Sequence, residues 1–64
     1  MKLKPLTPHD LQIELDMLNG NISRICVSHD ITEIITSLGF AVDRLNMIAY
    51  TRINKLQEEA QKND

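Results

Sequence analysis

The chain of 64 residues has no tryptophan, a single phenylalanine (Phe40), a single tyrosine (Tyr50), one cysteine (Cys26), two glycines and two prolines. Each shortage excludes something. With Cys26 alone, no disulfide can form within one chain, so a short polypeptide that leaves much of its surface exposed lacks one of the usual staples. With so few aromatics the core must be filled by Leu, Ile, Val and Met, as in helical bundles rather than small β-domains. No run approaches the roughly 18 uncharged apolar residues that span a membrane. Met1-Lys2-Leu3-Lys4-Pro5 is basic but has no apolar stretch behind it, so it does not read as a signal peptide. Together with the lone cysteine, this points to a reducing, cytoplasmic setting for a chain that starts at its initiator methionine. The net charge is only −2, and neither half carries a basic block that would draw nucleic acid by electrostatics alone. Gly20 and Gly39 stand apart, so there is no glycine-rich phosphate loop.

What is present is helical. Residues 1–6 form a short tail, in which Pro5 forbids an early helix. Thr7-Pro8-His9-Asp10 is then a start signal: a capping hydroxyl, a proline at the first helical position, and a carboxylate where amides are unpaired. Leu6 and Leu11 have the spacing of a hydrophobic staple. The stripe Leu11, Leu15, Leu18, Ile22, Ile25 follows a heptad, and its phase continues across Asn19-Gly20-Asn21. A first helix is therefore expected over 8–27, with a kink at Gly20 left open. Ser28-His29-Asp30 interrupts the stripe, and Asp30 with Glu33 repeats the capping pattern. A second stripe runs Ile31, Ile34/Ile35, Leu38, Ala41/Val42, Leu45, Ile48/Ala49, Ile53, Leu56, Ala60, giving a helix over 31–61 that frays into the last residues, 62–64. Gly39 is the objection: it sits in phase within one long helix, or it ends one helix and begins a third.

The side chains that could carry catalysis are wrongly arranged for it. Ser28, His29 and Asp30 have the composition of a hydrolase triad but are consecutive, whereas a triad converges from separated positions. Cys26 and His29 form one close pair with His9 far away, and a zinc site needs two such pairs; a buried thiol beside a surface histidine is the expectation. Asp10, Glu14 and Asp16 on the first helix, and Glu58 and Glu59 on the second, read as solvated faces, and Met17 and Met47 as filler. No catalytic residue, metal or cofactor is expected.

Two patterns bear on function. Ile31-Thr32-Glu33-Ile34-Ile35-Thr36-Ser37-Leu38-Gly39-Phe40 resembles part of the helix-turn-helix of AraC-type regulators, with Gly39 as the turn glycine and Ile34, Leu38, Phe40, Leu45 and Ile48 at core offsets. It departs from them at Ile35, where a small residue is usual, and in a reading helix of Asp43, Arg44, Asn46 and Met47 with little positive charge. The resemblance implies DNA binding. The second pattern is a polar stripe of Arg44, Thr51, Arg52, Asn54 and Lys55, able to hold a phosphate or an acidic partner. Arg44, Ala49, Thr51 and Ile53 loosely resemble the C-terminal helix of phage-encoded cyclic-nucleotide sponges, without the tryptophan-bearing end of that family. That resemblance implies nucleotide binding at an oligomer interface.

Taken together, the expectation is one all-α domain over 1–64. It is an antiparallel helical hairpin, or three helices if Gly39 breaks the second, that completes its core as an oligomeric bundle resembling small plasmid copy-number regulators in length and pattern. Leu15, Leu18, Ile22, Leu38, Val42, Leu45 and Ile48 are the expected oligomer core, and Arg44, Thr51, Arg52 and Lys55 the expected binding residues. The expected function is a non-enzymatic regulatory or interaction protein. It would form a homo-oligomer and bind a protein partner through a helical surface, with helix-turn-helix DNA binding and nucleotide capture as the alternatives.

Overall fold

A computed structural model describes residues 4–62 of the chain. Two helices account for nearly all of them: α1, Pro8–Val27, and α2, Ile31–Lys62. The start of the expected tail, 1–3, and the last two residues, 63–64, lie outside the described residues. Local chemistry explains both starts. Thr7 is extended, and its Oγ1 accepts the Asp10 amide at 3.1 Å while Pro8 opens α1. Asp30 begins α2 by accepting the Thr32 amide on Oδ1 at 2.9 Å. The reciprocal half of a capping box is not made by Glu33; the Asp30 amide instead donates to Ser28 Oγ at 3.1 Å. The Ser28 hydroxyl, two residues back, takes that amide and leaves Glu33 to the first-turn dipole.

Neither glycine breaks its helix. Among the described residues none has a positive φ, and both α1 at Gly20 and α2 at Gly39 run through without interruption. The three-helix alternative is therefore replaced by two.

The three-residue connection turns α2 back along α1, so the helices are antiparallel. Glu14 and Met17 meet Arg44 near the middle, and the Leu6 amide donates to Thr51 Oγ1 at 2.8 Å near the open end. Thr51 Oγ1 in turn donates to the Met47 carbonyl at 2.9 Å, anchoring the segment before α1 to α2. Beyond Thr51, α2 has no α1 beside it, and the molecule measures 52 × 22 × 16 Å.

The line of contact between the helices differs from the strongest apolar stripe. The interior faces are Leu11, Glu14, Leu18, Asn21 and Ile25 on α1, and Ile34, Ser37, Ala41, Arg44, Ile48 and Thr51 on α2. Ser37 and Ala41 are 3% and 4% exposed, whereas Leu38 and Leu45 are 53% and 51% exposed. Small side chains let the two backbones approach, and the large ones are turned to the flank. Of the seven residues expected as oligomer core, Leu18 is buried and Ile48 half-buried within one chain; Leu15, Ile22, Leu38, Val42 and Leu45 are exposed. Among the described residues no helix is long and apolar enough to cross a membrane.

Candidate functional site

The hairpin has two flanks. By helical period, Leu15 and Ile22 of α1 share one with Ile31, Ile35, Leu38, Val42 and Leu45 of α2, all of them exposed. Ile53 and Leu56 extend that row along the overhang of α2, again exposed. The steps between these α2 positions alternate mainly between four and three, the signature of a seam that packs against another helix. The row is continuous, although scattered single apolar residues are ordinary on a protein surface.

The other flank holds an open groove of about 310 Å³ lined by Met17, Gly20, Asn21, Arg24, Phe40 and Arg44. Arg44 organises it. Its Nε lies 3.3 Å from Glu14 Oε2, with both side chains mostly enclosed. That distance permits charge attraction, but the N–H is not aligned for a hydrogen bond. The remaining guanidinium contacts are weak: Nη1 to the Phe40 carbonyl at 3.5 Å, Nη2 to Met17 Sδ at 3.5 Å, and the Phe40 ring centroid 5.9 Å from Cζ. Glu14, expected on a solvated face, is thus turned inward to Arg44, because it lies seven residues from Asn21 on the packed side of α1.

The four expected binding residues do not converge. Arg44 is in the groove, Thr51 is committed to Leu6 and Met47, and Arg52 and Lys55 are exposed on the overhang. Arg44 and Lys55 stand about 16 Å apart along the axis at 1.5 Å per residue. Asn54, from the same stripe, bonds Glu58 at 3.3 Å. Cys26, expected to be buried, is exposed near the end of α1. Of the six groove residues only Arg44 was among the expected binding residues; Met17 reads as filler and Phe40 as a core offset, and Gly20, Asn21 and Arg24 carried no binding expectation. Asn21 was legible in principle, being seven residues from Glu14 and three from Leu18. Arg24 carried no signal until α2 was placed beside it.

No protein-family model matches the chain, and no curated protein or solved structure is significantly similar to it. Function must be read from the chain's own geometry.

Proposed function

We propose that this chain is a non-catalytic interaction module, a helical hairpin that pairs with a second copy through the apolar seam of α2 and presents its remaining surface to another macromolecule. The observation that carries the reading is the unbroken exposed row from Ile31 to Leu56, flanked on α1 by Leu15 and Ile22. A single copy falls short of a normal core. Its radius of gyration is 14.7 Å, against about 11 Å for a compact chain of this length. It exposes 5294 Å², against roughly 4,200 Å² for a compact monomer of its mass. The excess is of the order of the 800 Å² that each partner buries in a standard interface, although the overhang of α2 supplies part of it.

The seam is also self-complementary. Measured from Val42, its apolar residues lie at −11, −7, −4, +3, +7 and +11: Ile31, Ile35 and Leu38 on one side, Leu45, Ala49 and Ile53 on the other. Two copies of α2 crossing antiparallel at Val42 therefore meet apolar against apolar along the whole contact, as a twofold interface requires. This gives a four-helix bundle in which small residues hold each hairpin together and large ones join the pair. The DNA-reading alternative needs a turn at Gly39, where α2 is continuous, and nucleotide capture by the polar stripe needs residues that do not converge. Neither gains an observation in its favour. Light scattering at about 10 µM tests the module directly. A mass twice the 7.3 kDa of one chain is expected, and a folded monomer at that concentration, well above the Kd of a stable dimer, contradicts it.

A further inference from the structure

The groove flank carries polar groups whose bonding capacity is unspent. Asn21 is only 6% exposed, and its Oδ1 has no hydrogen-bond partner. Arg44 has five N–H donors, yet its neighbours offer a misaligned carboxylate, one carbonyl at the limit of range and a thioether sulfur. Arg24 brings a second guanidinium, exposed and in no ion pair among the described residues. Gly20 lines the same groove. It lowers the intrinsic stability of α1 relative to alanine, and nothing among the described residues requires it, since a Cβ built there meets no atom within 4 Å and the backbone is helical. Its missing side chain leaves the groove wider.

We propose that this groove docks an acidic peptide segment of a partner protein, its carboxylate recognised by the Arg24 and Arg44 guanidinium groups that line the groove and its aliphatic stem lying against Phe40 and Met17. The proposal rests on the module reading above and adds the partner's chemistry. Charge selects the ligand. Two guanidinium groups less the Glu14 carboxylate leave one net positive charge, which one carboxylate neutralises and a doubly charged phosphate exceeds. Size agrees. About 310 Å³ is at the small end of ligand cavities, enough for one side chain and a short stretch of main chain, and the groove is open along its length. Position agrees as well. The groove lies on the flank opposite the seam, so self-association leaves it accessible.

The test is a titration of the ¹⁵N-labelled full chain, followed at the arginine Nε–H resonances. Three probes are compared: a capped tetrapeptide of alternating leucine and glutamate, its glutamine counterpart, and inorganic phosphate. The glutamate peptide is expected to shift the Arg24 and Arg44 signals saturably, with the other two probes weaker by about tenfold or more. Arg24→Gln and Gly20→Leu should each weaken the glutamate peptide by about tenfold while leaving the helical circular dichroism unchanged, because one position is exposed and the other opens on empty space. An absence of saturable shifts up to about 5 mM peptide, weaker than any useful docking, overturns the proposal. So does an equal response to the glutamine peptide, or a stronger response to phosphate. The mass of the same samples separates this from the parent reading. A dimer that ignores the peptide overturns the groove alone, and a monomer that binds it overturns the pairing alone.

Discussion

The two flanks of the hairpin are made from the same pair of helices, but they have opposite deficiencies. The seam flank offers large apolar side chains left uncovered by the described residues: Leu38, Val42 and Leu45 are all about half exposed. The groove flank offers polar atoms with no hydrogen-bond partner among the described residues, Asn21 Oδ1 and Arg44 Nε. Between them runs a thin core of small and medium residues in which Leu18 and Ala41 are the only buried apolar side chains among the described residues. A core so narrow is what the proposed pairing with a second copy would complete. The comparison separates two kinds of recognition: non-directional burial of area on one flank, and directional charge and hydrogen bonding on the other.

Substitution on the seam should have the largest effect. Leu45→Glu places a carboxylate at the centre of the proposed contact, and light scattering should show monomers with little cooperative melting. Leu45→Ala is milder and should cost about 2 kcal/mol or more if a second copy buries the side chain, but within about 0.5 kcal/mol of nothing if Leu45 faces water. Urea melts distinguish these outcomes. Leu18→Ala comes next. This residue is buried in one chain, so about 2–4 kcal/mol should be lost whatever the oligomeric state. A loss at Leu18 without one at Leu45 would dissolve the contrast between inner and outer seams. Thr51→Val removes the acceptor for the Leu6 amide and should cost about 1 kcal/mol. Faster hydrogen exchange at Leu6, with the groove resonances unmoved, would place that effect at the open end of the hairpin. The smallest change is Gly39→Ala, which should stabilise by about 0.4–1 kcal/mol, since the helix is continuous there and a Cβ meets nothing within 4 Å. Destabilisation would mean that a neighbouring copy approaches the backbone at Gly39.

Much of the fold was legible because its signals are local. Thr7-Pro8 and Ser28-His29-Asp30 bound α1 in capping chemistry that needs no tertiary context, and the unbroken heptad phase argued correctly for a helix continuing through Gly20. The phase of the interior was not legible. The strongest apolar stripe of α2 suggests a core through Leu38, Val42 and Leu45, but α1 packs one step around the helix on Ser37 and Ala41. Hydropathy identifies apolar positions but does not tell which of two adjacent faces of α2 the first helix takes. The groove was hidden for a related reason. Glu14 read as a solvated position, Arg44 as part of a polar binding stripe, and Asn21 and Arg24 carried no binding signal; only the antiparallel register, which brings residue 14 to residue 44, makes them one site.

The claim on which the rest depends is that a second copy covers the outer seam antiparallel about Val42, and the lone cysteine makes it measurable. A nitroxide on the exposed Cys26, with the labelled chain first shown to keep its mass, reports the distance between equivalent points on two copies by double electron–electron resonance. Cys26 lies near the connection, about ten residues along the axis from the level of Val42. A twofold contact there places the labels at opposite ends of the bundle, about 30–40 Å apart at 1.5 Å rise per residue. A narrow distribution in that range is the predicted result. Labels closer than about 20 Å, or a decay with no intermolecular modulation, would contradict it, the first by placing the connections side by side and the second by leaving the seam uncovered.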